Sequence, residues 1–392
     1  MSALTTQPAR RRLATVATAA AAAALLAGAS PAAAQARAAA GTAVGARAAS
    51  GGTWGTAEEV PGSAALNTGG NAVVQAVACP SAGSCAAGGY YTPAGGSPPA
   101  QVFVVSEVHG TWRKAEQIPG TDALNTGGSA QVYSVSCASA GNCSAGGYYS
   151  VGFDGDLHAF VANEVNGTWG KAKQVAAALN VGGGGGVDSV SCASAGNCIA
   201  GGAYNEGSTG GFFTQAFVVS QVHGTWGKAK EVPGTDALNT GGLAHVDSLS
   251  CTSAGNCSAG GYYTANATGF PQQAFVATQT NGTWGTAKEV PATAALNKGG
   301  NADVTSVSCT SPGNCSAGGS YTDGSGRHQV FLVTETNGAW GSAEEVPGSA
   351  ALNKGGSAEI LSVSCAPAGN CSAGGDYYDA SHHLQAFAVS QT

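Results

Sequence analysis

The sequence predicts an all-β fold, a six-bladed β-propeller with four-stranded blades. Three observations predict it. Six C-x5-C pairs recur along the chain, six tryptophans keep the same beat, and the segments between them read as short strands joined by tight turns. The pairs are Cys79 with Cys85, Cys137 with Cys143, Cys192 with Cys198, Cys251 with Cys257, Cys309 with Cys315 and Cys365 with Cys371. The tryptophans are Trp54, Trp112, Trp169, Trp226, Trp284 and Trp340. The period is roughly 57 residues. A repeat of this order built from short strands is the signature of a propeller blade.

Four strands can be read in each unit. In the fifth they are Val304–Cys309, then Cys315–Thr322 with its A-G-G-x-Y run, then Gln329–Thr336, whose Val330, Leu332 and Thr334 share one face, and last Ala339–Val346. The third and fourth strands are joined by Asn337-Gly338. Asn-Gly between two strand-like runs is a strong hairpin signal, because both turn residues need positive φ. Asn166-Gly167, Asn281-Gly282, His109-Gly110 and His223-Gly224 are its equivalents. His tolerates the left-handed region better than most residues with a side chain.

An A-L-N-x-G-G loop leads into each next unit. Its Asn is expected to bond nearby backbone. In the third repeat this loop widens to Gly182–Gly186 and loses the preceding Val-Pro-Gly, which marks that unit as the irregular one.

The two ends predict ring closure. The repeat region opens on a fourth-strand segment, Thr53–Pro61, and closes on a third strand, Leu384–Ser390. In a ring, the first segment completes the last blade. An open solenoid would want capping repeats at its ends.

Each C-x5-C pair is expected to end the first strand with one Cys and open the second with the other. A bridge there closes a loop of about seven residues and is worth about 2 kcal/mol in the chain-entropy model. A structural zinc site built on cysteines wants two-to-four-residue gaps and four converging ligands. Isolated pairs on separate blades do not converge, so six intra-blade disulfides are expected. The repeated Trp reads as packing within or between blades, with an aromatic binding ring as the sharper alternative. Glu58, Glu59, Lys171, Lys173, Lys228, Lys230, Glu344 and Glu345 around it fit an exposed outer strand, where charge discourages edge-to-edge pairing.

Residues 1–36 read as a secretory signal. Arg10, Arg11 and Arg12 precede an apolar, Ala-rich core, and Ala34-Gln35-Ala36 is a small-residue cleavage pattern. The arginines leave Sec and twin-arginine export both open. Residues 37–50 read as a flexible Ala/Gly linker, and 51–392 as the propeller. Twelve Cys in an exported chain imply disulfides and a secreted, extracellular location. No second apolar stretch reaches membrane-spanning length.

All 22 acidic residues lie after position 50, with ten of the 15 basic ones, so the repeat region carries a formal −12. Such a surface repels phosphate backbones and argues against a nucleic-acid partner. Charged residues are only 9% of the chain, so solubility leans on Ser, Thr, Asn and backbone.

The segments S-V-S-C-x-S-x-G-N-C-x-A-G-G (residues 134–147 and 306–319) and N-G-T-W resemble the tandem repeats of uncharacterised secreted propeller proteins of high-GC bacteria. The resemblance spans about residues 51–392 and implies a propeller, with no particular chemistry. The G-T-W turn is only distantly similar to the Asp-box of sialidase-type propellers, S-x-D-x-G-x-T-W. Asn166 and Glu164 stand where that motif has Gly and Asp, and Arg113 and Arg327 are too few for an arginine triad.

Two places are candidates for function. The loops between second and third strands differ in every repeat: Thr92–Ala100, Ser150–Leu157, Asn205–Thr214, Thr264–Gln272, Thr322–Arg327 and Asp379–Leu384. Divergence on a repeated scaffold is where function is grafted, though solvated drift also produces it. These loops carry Phe153, Asp154, Asp156, Phe212, Phe213, Phe270, Arg327, His382 and His383, with His158 at their edge. Exposed aromatics among polar groups suit sugar or protein contacts.

The second place is the channel mouth. Six residues before the first Cys of each pair stand Val73, Gln131, Gly186, His245, Asp303 and Glu359. Four before it stand Gln75, Tyr133, Asp188, Asp247, Thr305 and Leu361. Period two puts both sets on one face at the start of the innermost strand. His245, Asp303 and Glu359 come from consecutive blades. They could bind a divalent cation or do acid–base work, with ordinary solvation of a polar channel as the plainer reading.

The ligand-binding candidates are therefore His245, Asp303, Glu359, Asp188, Asp247, Phe153, Phe212, Phe270 and Arg327. No cofactor, catalytic residue or metal site is assigned, and the Gly-Gly pairs lack the strand-to-helix context of a phosphate loop. The expectation is a monomeric extracellular binding module for a glycan or a protein, more binder than enzyme. The alternative is a secreted carbohydrate-active hydrolase or lyase using channel carboxylates.

Overall fold

The computed structural model describes residues 15–16, 55–95, 100–152, 155–207, 213–366 and 370–391. Six antiparallel sheets follow one another along the chain as the blades of a β-propeller. Their innermost strands are Ala72–Ser81, Ala130–Ser139, Gly186–Ser194, Ala244–Ser253, Ala302–Ser311 and Ala358–Cys365. In blade 5 the next two strands are Asn314–Thr322 and His328–Thr336, within a residue of the boundaries expected at each end.

The outer strand differs from expectation. It is two short pieces, Ala339–Trp340 and Glu344–Glu345, both paired to the third strand. The break lies at Ala343, whose N–H turns away from its own sheet and donates to the Pro291 carbonyl of the neighbouring blade at 2.7 Å. The Asn-Gly turn behaves as expected, with φ of +51° at Asn337 and +81° at Gly338.

All six expected disulfides form: Cys79 to Cys85, Cys137 to Cys143, Cys192 to Cys198, Cys251 to Cys257, Cys309 to Cys315 and Cys365 to Cys371. No free cysteine remains among the described residues. Their place on the hairpin is the expected one in blade 6, where one strand ends at Cys365 and the next opens at Cys371, and is corrected by a residue or two in the other blades. Cys85 and Cys143 do not open the second strand. It starts one residue earlier, at Ser84 in blade 1 and at Asn142 in blade 2. The physical reason is the tightness of the turn. Gly83 and Gly141, both at φ +68°, reverse the chain so sharply that Ser84 pairs with Ser81 and Asn142 with Ser139, outside the bridge. The disulfides therefore sit inside the ladder. Cys137 faces Cys143 directly across it, and Cys309 faces Cys315, with Cα atoms 4.0 and 3.9 Å apart. In blade 1 the register shifts between Ala78 and Ser81, so Cys79 and Cys85 are bridged without being ladder partners.

The S-V-S-C motif joins the innermost strands of blades 2 to 6, each to the next. The Val307 N–H donates to Ser248 Oγ at 2.9 Å and the Cys309 N–H to Ser250 Oγ at 3.0 Å. The same pair of bonds links blade 2 to 3, 3 to 4 and 5 to 6. Apolar cores lie between blades as much as within them. Val132, Val135 and Phe160 of blade 2 pack with Ala86, Val102 and Val104 of blade 1, and the pattern recurs along the row.

The Asn of A-L-N is more than a local turn residue. Asn297 donates to the Gln272 carbonyl of the blade behind (2.8 Å) and accepts from the Thr322 N–H of the blade ahead (3.3 Å). It fastens the inter-blade loop to the rims of two blades. The Trp is an inter-blade residue too. Trp169 Nε1 donates to Ser106 Oγ (3.1 Å), Trp226 Nε1 to Asn163 Oδ1 (2.9 Å) and Trp340 Nε1 to Thr278 Oγ1 (3.2 Å), each on the third strand of the preceding blade. The outer-strand glutamates are not simply solvated charges. Glu289 and Glu345 accept hydrogen bonds from Tyr263 and Tyr321 of the A-G-G-x-Y run.

Ring closure does not appear as expected. The last blade has three strands, Ala358–Cys365, Cys371–Tyr378 and Leu384–Ser390, and residues 55–60 form no ladder with the last of them. Residues 384–390 are largely exposed. The segment nevertheless stands at the outer-strand position of a blade preceding blade 1. Its Pro61 carbonyl accepts from the Ala115 N–H at 2.7 Å, as Pro119, Pro233 and Pro291 accept from Ala172, Ala287 and Ala343 in successive blades. Val60 packs beside Tyr91, Phe103 and Val105. A further two-residue strand, Thr15–Val16, lies parallel to Val77–Ala78 on the innermost strand of blade 1. No helix among the described residues is long and apolar enough to cross a membrane.

Candidate functional site

The innermost strands each carry a β-bulge at one repeat position. The register slips between Val246 and Ser248 in blade 4, and between Val187 and Ser189 in blade 3, so Asp247 and Asp188 are the extra residues. Gln75, Tyr133, Thr305 and Leu361 hold the same position in the other blades. A bulge re-aims the residue it inserts and bends its strand. The second Gly of A-G-G is what admits it. At Gly261 a β-carbon would stand 2.0 Å from the His245 carbonyl oxygen, and at Gly319 1.8 Å from that of Asp303.

The two sets share a face as period two predicts, since His245 of one set meets Asp188 and Asp247 of the other. His245, Asp303 and Glu359 all begin innermost strands, but they divide between two neighbouring groups. His245 belongs with Asp188 and Asp247, whose side-chain ligand atoms and imidazole nitrogen all lie within 4.8 Å of one another. His245 Nδ1 is 3.6 Å from Asp188 Oδ2, and the two side chains are 29% and 28% exposed. The imidazole stacks on Tyr262, ring centres 5.1 Å apart and 11° from parallel.

Asp303 and Glu359 line a separate cleft of about 350 Å³ together with Asp376, His328, Ser320 and Tyr262. Asp303 Oδ1 accepts from Ser320 Oγ at 2.7 Å, and Glu359 lies opposite Asp376 across the strands. Tyr262, a residue the sequence reading passed over, borders both groups. The signal for it was the A-G-G-x-Y run, whose first position after the glycines varies as Tyr90, Tyr148, Ala203, Tyr262, Ser320 and Asp376. In blade 2, Tyr148 lies 5.3 Å from Tyr133, while Gln75 Nε2 donates to Gln131 Oε1 at 3.1 Å.

The loop residues contribute less. Phe153 and Phe212, with Asp154, lie outside the described residues. Phe270 is 57% exposed at φ +51° and reaches toward solvent. Phe213 lies over Gly242. Arg327 is exposed, its stem over Gly356. Its N–H donates to Asp323 Oδ1, which also accepts from the Ser325 N–H and hydroxyl. What little burial there is opposes ionisation of Asp323, but these hydrogen bonds outweigh it and hold its pKa at about 2. His158 is structural, with Nδ1 3.1 Å from Gln174 Nε2 and its ring stacked on Tyr149. The cysteines are structural as well. The sulfurs of Cys85 and Cys143, bonded to Cys79 and Cys137, offer no thiolate to a metal or a substrate, and the same holds in the other four bridges.

Burial by itself would lower the His245 pKa. The Asp188 carboxylate, by hydrogen bonding and charge, and Asp247, by charge, reverse this and raise it above the ordinary 6.5. A raised folded-state pKa contributes stability that is complete below the unfolded value and lost as pH climbs through the folded value. The protein should therefore lose stability as pH rises above about 6.5, and Asp188→Asn should remove much of that slope. Histidine Cε1–H titration by NMR on the metal-free protein, with Tm measured against pH, checks this. A His245 titrating at or below the free value would disprove it.

No known family model matches the chain, and no curated protein matches its sequence. Among solved structures it is similar to the β-propeller domain of the Trilobed protease from Pyrococcus furiosus, described as an open velcro topology. Identity there is 7% over 81% of each chain, with a TM-score of 0.46. An acylaminoacyl peptidase gives 8% identity, 78% coverage of this chain and a TM-score of 0.44. The GH74 xyloglucanase from Xanthomonas campestris gives 12%, 80% and 0.42. The chain spans only 43% and 46% of the length of these last two.

Proposed function

We infer that this chain is a secreted, monomeric, non-catalytic binding module that takes an extracellular glycan or protein at the axial mouth on its variable-loop face. The observation that carries the reading is the contrast between repeated and unrepeated positions. Residues that keep the fold recur blade after blade. The starts of the innermost strands and the residues opposite them instead carry Tyr133 and Tyr148, Asp188, His245 with Asp247 and Tyr262, Asp303, and Glu359 with Asp376. Aromatic faces beside carboxylates suit stacking against sugar rings and hydrogen bonding to hydroxyls. A lectin with one site per blade would repeat these contacts, so a single composite site is the better description.

A composite site needs all six blades around one axis, and we include ring closure in the proposal. Three features support it. Residues 55–61 stand at the outer-strand position before blade 1. Val74 and Val77 of blade 1 are only half-buried, where Val132 and Val135 of blade 2 are 0% and 1% exposed. Gly374 of blade 6 lacks the valine contacts that its equivalents make with the blade ahead. Leader removal takes Thr15–Val16 off the innermost strand of blade 1, where the last blade would dock.

A second reading rests on Asp303, Glu359 and Asp376 lining one cleft, as a glycoside hydrolase or lyase would require. Both are tested by applying the leader-free protein to a glycan array in the presence of a chelator, with release of reducing ends followed in parallel. Binding of a discrete glycan class, weakened at least tenfold (about 1.4 kcal/mol) in a His245→Ala, Asp303→Ala, Glu359→Ala variant that still folds, supports the module. Turnover of a glycan would favour the enzyme. Undiminished binding by the folded variant would move the site away from the axis.

A further inference from the structure

We propose that Asp188, His245 and Asp247 form a binding site for one divalent transition-metal ion such as Zn2+, held across the junction of blades 3 and 4. The donor set is one imidazole nitrogen and two carboxylates, which suits zinc and its neighbours better than calcium or magnesium, whose ligands are oxygen. Ligand arms of about 2.1 Å set tetrahedral ligand atoms about 3.4 Å apart. The 3.6 Å between His245 Nδ1 and Asp188 Oδ2 is close to that edge, and the whole set lies within 4.8 Å.

The site is assembled by the fold and is not a chance meeting of surface acids. Asp188 and Asp247 are the bulge residues of adjacent innermost strands, and these are the two blades that carry an acid at that position. His245 precedes Asp247 by two residues on the same strand, and Tyr262 fixes the plane of its ring. The His245 and Asp188 side chains are each less than a third exposed. Two carboxylates held this close repel each other, and the imidazole offsets one charge only when protonated. A divalent cation compensates both. Three protein ligands leave one or more positions open toward the channel, where water or a ligand hydroxyl can enter.

This inference goes beyond the binding-module reading and does not need ring closure, since blades 3 and 4 are already joined through the Ser189 and Ser191 hydroxyls. The test uses the full leader-free protein, stripped of metal and titrated with Zn2+ by calorimetry or against a chromophoric chelator. One ion per chain is expected, with micromolar or tighter affinity and a rise in Tm. Asp188→Asn, His245→Gln and Asp247→Asn should each weaken it tenfold or more, while their metal-free Tm values show that they fold. Should one fail to fold, Co2+ bound to the wild type should shift and broaden the ring proton resonances of His245 and leave those of His382 and His383 in place. The exposed pair His383 and Asp379, 3.8 Å apart, supplies the control. Binding that survives all three substitutions, or that disappears in His382→Gln, His383→Gln, would overturn the proposal, as would the absence of zinc binding.

Discussion

Gly319→Ala is expected to lower stability by about 3 kcal/mol or more, a fall in Tm of several degrees for a chain of this size. A β-carbon there would lie 1.8 Å from the Asp303 carbonyl oxygen, well inside contact distance. Neither partner can yield cheaply. The oxygen is backbone, and it is placed by the bulge that the second Gly admits. Thermal or chemical melting checks the effect against Gly170→Ala, where the nearest atom to the new methyl is 3.5 Å away and the change should be small. Equal losses in the two variants would show that the close approach is not what selects glycine. The same substitution at Gly89, Gly147, Gly202, Gly261 or Gly375 should behave like Gly319, since each faces a carbonyl at 1.8 to 2.1 Å.

Gly374→Val is expected to destabilise the protein lacking residues 1–36 by about 1–3 kcal/mol, and Gly318→Val by a similar amount. At Gly318 a β-carbon would meet Val363 of blade 6 at 2.8 Å and Ile360 at 3.0 Å. At Gly374 the nearest atom is 3.5 Å away and belongs to its own blade. In a closed ring Val74 and Val77 stand where Ile360 and Val363 stand for Gly318, so the two substitutions become equivalent. In an open row Gly374→Val would be neutral. Deleting residues 51–62 should likewise abolish cooperative melting if the ring closes, because blade 6 would then lose its outer strand. Deleting 37–48 should do little. Indistinguishable melts for the two truncations, with a harmless Gly374→Val, would leave the seam open.

The spacing of the cysteines was enough to read the disulfides, because a regular period turns an undecidable pairing problem into six local ones. It did not reveal how tight the turn is, so Cys85 and Cys143 were read as strand openers when Ser84 and Asn142 already belong to the ladder. The Asn-Gly turns were legible because few residues tolerate two successive positive φ angles. The bulge was not. S-V-S-C preserves the alternation of apolar and polar residues whether or not an extra residue sits upstream, and only the paired glycines on the next strand betray it. His245 was singled out with Asp303 and Glu359, whereas the carboxylate atoms within 4.8 Å of its imidazole belong to Asp188 and Asp247, which period two had placed on the same face. The broken outer strand was hidden as well. Its interruption is set by a hydrogen bond from Ala343 to Pro291, one blade away, which no pattern within the strand records. The inter-blade role of the two serines could have been read from their repetition, but composition alone made them look like strand filler.

The tryptophans give the protein a built-in optical gauge of blade docking. Each indole that bonds across a junction reaches the third strand of the blade behind it, so its emission should respond to separation of two blades before either sheet unravels. Trp112 has the most to tell. The residue equivalent to the Ser106 that receives Trp169 is, one blade earlier around a ring, Ser390 of blade 6. A variant retaining Trp112 alone would make the state of the seam visible in a fluorimeter, as a shift in emission and in quenching by solutes.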